Sequence, residues 1–138
     1  MSKPLIEAPA SDTSTTRTTL GYIEAYDAVL NGDYAFVAYK ETDQSGEWRV
    51  RINGLQTAGG VFEPAAIRNQ ARSAGAQGKA YFTWGWNMEP SAGDPRCVEF
   101  RVHVENGKPA RIEIFVQMRK FDQSADEPKS VTFPWPED

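Results

Sequence analysis

The chain has 138 residues, in which 15 Lys and Arg stand against 19 Asp and Glu, so the formal net charge is −4. This length is typical of one domain with its own hydrophobic core, and 40% hydrophobic residues with 12% aromatic ones exclude a disordered or fibrous protein. One cysteine, Cys97, excludes an intramolecular disulfide, and with one histidine it is too little for a conventional zinc site. An all-carboxylate site is left open but has no spacing signature, and Gly59-Gly60 lacks the rest of a nucleotide-binding motif, so no metal or cofactor is predicted.

The chain begins with a polar segment. Residues 1–19 are rich in Ser and Thr and carry almost no large apolar side chains, so they cannot bury enough surface to offset the entropy cost of ordering. We therefore expect a flexible arm. Neither this segment nor any later one has the apolar run of a secretion signal or of a membrane span, which predicts a cytoplasmic protein that does not bind membranes.

Residues 20–40 form the first predicted structural unit. Apolar side chains recur there at spacings of three and four, the period of a helix, at Leu20, Ile23, Tyr26 and Leu30. Asn31-Gly32 would end this helix, and Asp33 would cap a short second helix over residues 34–39. We therefore predict two N-terminal helices. The alternative is a β-hairpin that turns at Asn31-Gly32, because Asn-Gly also favours a hairpin turn strongly.

Strand and helix patterns follow in the middle of the chain. Apolar and polar residues alternate over residues 48–53, which predicts a half-buried strand. Pro64 at a first helical position and Gly75 as a C-terminal cap predict a third helix between them. Three more strands are predicted, over residues 80–88, 97–105 and 110–121. The order α, α, β, α, β, β, β predicts an α+β domain with helices on one face of a mostly antiparallel sheet.

The chain ends in an acidic segment, residues 122–138, which predicts a solvated tail. The alternative is that Phe133 and Trp135 dock this segment on the same or a neighbouring subunit. Residues 20–121 remain as the single α+β domain, and they are close to neutral. Nucleic-acid binding is therefore not expected, because it draws much of its affinity from neutralising phosphates.

Three segments together resemble one protein family. YDAVLNGDYAFVAY, GGVFEPAAIRNQARSAG and VEFRVHVENGKPARIEIF are similar to the NTF2-like superfamily, which includes SnoaL-like and ketosteroid-isomerase-like proteins. The resemblance covers about residues 20–118. It implies a curved, mostly antiparallel sheet packed on N-terminal helices, a cone whose open end is an apolar pocket. Members of the family are isomerases, dehydratases, polyketide cyclases, hydrolases, binders or assembly modules, so the fold does not define the function.

Five aromatic side chains are the predicted ligand-binding residues. They are Tyr22, Trp48, Phe82, Trp84 and Trp86. The last three share one face of the predicted strand 80–88, because alternate residues of a strand point the same way. Gly85 between the two tryptophans could permit the close approach of a ring or of backbone. The alternative is that these side chains are ordinary core packing, since large aromatic residues dominate protein interiors.

Tyr26 and Asp27 are the predicted catalytic residues. Tyr26 lies on the apolar arc of the predicted helix, and the resemblance places it where ketosteroid-isomerase-like members have an oxyanion-stabilising tyrosine. Asp27 falls at the edge of the same arc and is the best available carboxylate for acid–base work. The acidic base of those isomerases is absent, since the corresponding strand has Val50-Arg-Ile-Asn53. Steroid isomerase chemistry is therefore not expected.

Polar side chains alternate with apolar ones on the predicted strand 97–105. Glu99, Arg101 and His103 share one face, and the resemblance gives Glu99 the family's second acidic position. The alternation instead directs these three side chains away from the apolar core, toward solvent or a subunit contact. Arg111, Glu113 and Arg119 are expected to join them from the next strand.

Two functions follow from these patterns. We predict a pocket protein that binds a hydrophobic small molecule, with an isomerase, dehydratase or cyclase acting on a carbonyl compound as its enzymatic version. The alternative is a non-catalytic, self-assembling or complex-forming subunit that uses its outer sheet face and its tails and fills its interior with side chains. A homo-oligomer, a dimer through the outer sheet, is expected in either case.

Overall fold

The computed structural model describes residues 15–137, and the first 14 residues of the predicted arm lie outside this range. In chain order the elements are β1 (Thr16–Asp27), β2 (Gly32–Thr42), β3 (Trp48–Leu55), β4 (Gly60–Phe62), α1 (Pro64–Ala76), β5 (Tyr81–Thr83), β6 (Cys97–Glu105), β7 (Lys108–Gln117) and β8 (Lys129–Pro134). The strands form two antiparallel sheets, β1-β2-β3-β4 and β5-β6-β7-β8, which we name sheet A and sheet B.

The predicted α+β fold, a curved sheet packed on N-terminal helices, is wrong. β1 and β2 form an antiparallel hairpin where two helices were expected, and the domain is a pair of sheets. The hairpin alternative is confirmed: residues 28–31 form the turn, and Asn31 adopts a left-handed φ of 52°. Such a φ is one that Asn tolerates better than most residues. The cone that the NTF2-like resemblance implied is therefore not observed.

The misleading feature is that the apolar residues of β1 fit two periods. Their spacings of three and four match a helix, but burial along β1 follows a period of two. Ile23 and Ala25 are buried, whereas Glu24 and Tyr26 are exposed. β2 is buried on both faces from Ala35 to Tyr39, and it is a central strand of sheet A that pairs with β1 on one side and with β3 on the other. Pairing in a sheet thus overrides the local helical pattern.

The later elements agree better with the sequence. α1 begins at Pro64, close to its predicted start, and β3 and β6 begin at the predicted residues. The turn between β6 and β7 lies at Asn106-Gly107, where both residues have a positive φ. The predicted strand 80–88 is regular only over β5, after which Met88 forms an isolated bridge with Val98.

The core fills the space between the two sheets. Sheet A contributes Ile23, Ala25, Phe36, Ala38, Val50, Ile52 and Phe62, and sheet B contributes Val98, Phe100, Val102, Ile112, Ile114, Val116 and Phe133. The rings of Phe36 and Phe100 meet edge to face across the sheets, with centroids 5.3 Å apart. Burial of apolar surface between two packed sheets is the main stabilising contribution in such a fold.

The edges of the two sheets meet along two lines, which we name seams, and at each seam a glycine lets the sheets approach closely. At one seam a Cβ on Gly21 of β1 would lie 2.9 Å from the ring of Phe133 in β8. At the other, a Cβ on Gly60 of β4 would lie 3.0 Å from the Cα of Gly85, and the N–H of Trp86 donates to the carbonyl of Gly59 at 3.3 Å. The predicted close approach at Gly85 is therefore present, and it is made to backbone and to Phe100. Each sheet edge is covered by the other sheet.

The two ends of the sandwich are closed differently. α1 packs across one end against β5, β6 and β7, and it buries Ile67, Ala71 and Ala74. At the opposite end a group of ion pairs surrounds Asp27. β8 lies inside the segment predicted as an acidic tail, and its aromatic residue Phe133 and the following Trp135 are buried, as the docking alternative proposed. No helix between residues 15 and 137 has the length and apolar character needed to cross a membrane.

Candidate functional site

Three of the residues predicted to bind a ligand, in the segment 82–86, pack against the core. Phe82, Trp84 and Trp86 all contact the buried cluster between the sheets. The indole Nε1 of Trp84 donates to the carbonyl of Val61 at 2.9 Å, which joins this segment to β4. The ring of Trp86 lies 6.5 Å from that of Phe36. These half-buried side chains pack against the edge of the core cluster, beside β4.

The other two predicted ligand-binding residues lie elsewhere. Trp48 packs at a tilt of 56° against Trp135 at the α1 end, with ring centroids 5.4 Å apart, and the Nζ of Lys40 lies 5.0 Å from the Trp48 ring. Tyr22 is on the outer face of sheet A, where its hydroxyl donates to Glu24 at 2.9 Å. The five aromatic residues are therefore not brought together around one pocket.

Tyr26 and Asp27 point to opposite faces of β1, because adjacent residues of a strand alternate. Tyr26 is 43% exposed, and its hydroxyl donates a hydrogen bond to the Oδ1 of Asn31 in the hairpin turn. Asp27 is fully buried. The structure thus places the two predicted catalytic side chains in different environments, and their catalytic role stays a prediction.

Asp27 is the centre of a buried polar network. Its Oδ2 accepts a hydrogen bond from the Nη2 of Arg119 at 2.9 Å, and the Nη1 of Arg96 lies 3.4 Å from the same oxygen. Its Oδ1 accepts from the N–H groups of Val29 and Leu30 in the hairpin turn. Burial alone would raise the pKa of Asp27, but the hydrogen bond from Arg119 and the turn N–H groups outweigh it and lower the pKa. The carboxylate is therefore ionised and held in place, and it joins the hairpin turn to Arg119.

Asp94 and Tyr34 extend this network across the end of the sandwich. The guanidinium of Arg96 donates to both carboxylate oxygens of Asp94 and lowers the pKa of Asp94 to about 2. The Nη1 of Arg96 also donates to the hydroxyl of Tyr34 at 2.7 Å. The network therefore ties β2 to the segment before β6, in addition to joining the ends of β1 and β7.

A cleft lies beside this network, on the solvent side. It has a volume of about 480 Å³ and opens between the last residues of β1 and the segment that connects β7 to β8. We name it the Tyr26 cleft. The apolar side chains of Val116 and Met118, both in the core cluster, line it, and Tyr26 and Phe121 flank it.

The connecting segment holds Phe121 in place. The N–H of Lys120 donates to the carbonyl of Ser124 at 2.8 Å, and the carboxylate of Asp122 accepts from the N–H of Ser124 at 3.0 Å. The N–H of Asp126 donates to the carbonyl of Met118 at 2.7 Å. This tight turn presents the ring of Phe121, which is 82% exposed, at the mouth of the cleft. Its position beside the apolar floor and opposite Tyr26 makes this ring available to a ligand in the cleft.

Charged groups surround the mouth of the cleft. Lys120 and Lys129 supply positive charge, and Asp126 and Glu127 supply negative charge. Arg119 also lines the cleft, but its guanidinium is bound to Asp27. The cleft lining includes neither histidine nor cysteine. The arrangement offers an apolar floor, two aromatic walls and a polar rim, which are the features of a site that binds an amphipathic molecule.

The outer face of sheet B is polar, as the alternation predicted. The ring Nε2 of His103 lies 2.9 Å from the Oε1 of Glu113, and Arg101 donates to Glu99 at 2.8 Å. The guanidinium of Arg101 also covers the ring of Phe115 at 4.2 Å. These side chains pair with one another across the strands. The prediction that Arg119 joins this face is wrong, since Arg119 is buried against Asp27.

Comparisons with known proteins add no identity. No family model matches the chain, and no match was found among curated proteins or among solved structures. Within residues 15–137, no group of three or more potential metal-ligating side chains is close enough to hold a metal ion. The functional interpretation therefore depends on the geometry of the chain itself.

Proposed function

We propose that the protein binds a small amphipathic molecule in the Tyr26 cleft. The observation that carries this proposal is an apolar floor of Val116 and Met118 flanked by two exposed aromatic rings. The sequence predicted a hydrophobic small molecule, and the polar rim of the cleft changes this to an amphipathic one. The proposed location is also new, because the aromatic side chains of residues 82–86 pack against the core.

The chemistry of the cleft favours a ligand with a flat apolar body and one polar or charged group. Tyr26 and Phe121 can stack on or edge against such a body, as aromatic pairs do. Covering apolar surface contributes about 25 cal/mol/Å², before the cost of association. Polar contacts with Lys120, Lys129 or the acidic rim would supply the remaining affinity and the specificity.

A fluorescence titration with anilinonaphthalene sulfonate tests the proposal, because this probe combines an aromatic body with one charged group. We expect Tyr26→Ala and Phe121→Ala each to weaken binding about tenfold, the effect of losing about 1.4 kcal/mol. Tyr81→Ala is the matched control, since Tyr81 is 40% exposed and lies on sheet B. Unchanged binding in both cleft variants would overturn the proposal. Circular dichroism confirms that each variant is folded.

The second candidate function is a non-catalytic, complex-forming subunit. The packing between the sheets favours it, because Phe36 and Phe100 meet there edge to face and the aromatic residues expected to line a pocket pack against this core. Leu30 in the β1–β2 turn and Phe121 after β7 are exposed apolar residues, and a partner would cover them. Light scattering after gel filtration tests the expected dimer, and a monomer at all concentrations would contradict it.

A further inference from the structure

Three arginines surround one buried glutamate on the outer face of sheet A. Glu41 of β2 has a side chain that is 1% exposed. Its Oε2 accepts from the Nε of Arg17 at 2.9 Å, and its Oε1 accepts from the Nε of Arg49 at 3.0 Å and of Arg51 at 2.9 Å. We name this group the arginine cluster.

The sheet fixes the geometry of the arginine cluster. Glu41 is directly opposite Arg17 of β1 and Arg49 of β3, and Arg51 is opposite Tyr39 two residues away. Side chains at these positions share one face, because they are paired or diagonal neighbours across adjacent strands. The three guanidinium groups are therefore held together by backbone register, in addition to their shared carboxylate.

The arginine cluster carries excess positive charge. Within the cluster three guanidinium groups share one carboxylate, and Asp43 outside it interacts electrostatically with Arg49. Burial alone would raise the pKa of Glu41, but the hydrogen bonds from Arg51 and Arg17 lower it, so the carboxylate stays ionised. Like charges this close repel one another, and a bound anion would relieve that repulsion.

The terminal nitrogens of two arginines remain available to such an anion. Arg49 and Arg51 use Nε to bind Glu41, and their Nη atoms form no hydrogen bond with any residue that the structure describes. Their side chains are 27% and 32% exposed, so a small solute can reach them. Guanidinium groups bind phosphate and carboxylate oxygens through paired N–H donors, and a partly buried setting strengthens such bonds.

We propose that the arginine cluster binds the oxyanion of a ligand, a phosphate or carboxylate group, through the Nη atoms of Arg49 and Arg51. Glu41 is a positioning residue, since it orients the guanidinium groups without contacting the anion. The site is separate from the Tyr26 cleft. Tyr26 is nine positions further along β1 than Arg17, a separation of about 30 Å at about 3.3 Å per residue.

Calorimetric titration with inorganic phosphate, and separately with acetate, tests this site in a buffer of low ionic strength. We expect Arg49→Gln and Arg51→Gln each to weaken binding about tenfold. Arg111→Gln is the matched control, since Arg111 is an exposed arginine of sheet B that is paired with Glu105. It should bind as the unmodified chain does. Preference for phosphate over acetate would identify a phosphate-bearing ligand, and the reverse a carboxylate-bearing one.

Arg51→Lys keeps the charge and is the second variant if a glutamine variant fails to fold. We expect it to lose most of the binding, because lysine lacks the paired donor geometry of arginine. Absence of binding of both anions by the unmodified chain, or equal binding by Arg49→Gln, Arg51→Gln and Arg111→Gln, would overturn the proposal. Neither result bears on the Tyr26 cleft, which has its own probe and variants.

Discussion

Asp27 and Arg119 are 92 positions apart in the chain and form a buried ion pair, with the Nη2 of Arg119 2.9 Å from the Oδ2 of Asp27. The N–H of Ala28 also donates to the carbonyl of Arg119 at 3.3 Å. This pair connects the end of β1 in sheet A with the residues that follow β7 in sheet B. It also fixes the backbone on both sides of the Tyr26 cleft.

Asp27→Asn should destabilise the fold. The substitution removes the closest carboxylate from the buried guanidinium of Arg119 and leaves it the more distant Asp94, whose Oδ1 lies 3.9 Å from the Nε of Arg119. Breaking a buried ion pair costs about 3 kcal/mol. Asp33→Asn is the control, since Asp33 is an exposed residue of the same hairpin. Urea unfolding measures both variants. A loss below about 1 kcal/mol for Asp27→Asn, within the usual range of surface substitutions, would contradict a structural role for the pair.

Stability should fall in acid. The pKa values of Asp27, Glu41 and Glu113 are lowered in the folded state, and that of Asp94 is lowered to about 2. A carboxylate whose pKa is lower in the folded state contributes stability above its unfolded pKa and loses it as the pH falls toward the folded value. We expect the free energy of unfolding to decrease from about pH 5 to about pH 2. Urea unfolding at several pH values checks this, and a flat profile would contradict it.

Gly75→Ala should destabilise the protein although alanine favours helices. Helix propensity alone predicts a gain of about 1 kcal/mol in the interior of α1. A Cβ on Gly75, however, would lie 2.8 Å from the Cα of Gly107 in the β6–β7 turn, and backbone cannot move aside cheaply. We expect a net loss of about 1–3 kcal/mol. Gly32→Ala is the control, because its nearest neighbour is 4.0 Å away. Thermal unfolding that shows Gly75→Ala more stable than the unmodified chain would exclude this close packing.

Trp84→Phe should reduce the free energy of unfolding more than Trp135→Phe does. The Nε1 of Trp84 donates to the carbonyl of Val61, so its loss leaves that carbonyl without this partner, at about 1–2 kcal/mol. The Nε1 of Trp135 is buried and has no hydrogen-bond partner among the described residues, so its removal relieves an unfavourable burial. Urea unfolding compares the two variants. Equal losses of stability would show that the Val61 bond contributes nothing.

The sequence was sufficient for some elements and ambiguous for others. α1 was predictable because Pro64 marks its start, and β6 because a strict alternation runs through it. β1 was not, because its apolar residues fit a helix and a strand equally well. Asn31-Gly32 is compatible with a helix end and with a hairpin turn. The pairing of β2 with β3, which lies further along the chain, favours the hairpin.

The two candidate sites depend on contacts that local patterns do not encode. Tyr26 was identified from a helical arc and a resemblance, yet it lines a cleft because β1 lies beside the segment after β7. Phe121, a large apolar residue in a polar stretch, is a local feature that could have indicated this cleft, but it was predicted as the last residue of the strand 110–121. The arginine cluster follows from alternation once the β1–β2–β3 register is known, because Arg17, Glu41 and Arg49 then become direct neighbours.

The position of the bound probe tests the central claim most directly. In an amide NMR titration with anilinonaphthalene sulfonate, we expect the largest chemical-shift changes at Tyr26, at residues 118–121 and at Asp126, which all lie at the Tyr26 cleft. The amides of Trp84 and Trp86 should change little, because their side chains are packed against the core. The largest changes at these two tryptophans, with none at Tyr26 or Phe121, would place the ligand between the sheets and contradict the proposed function.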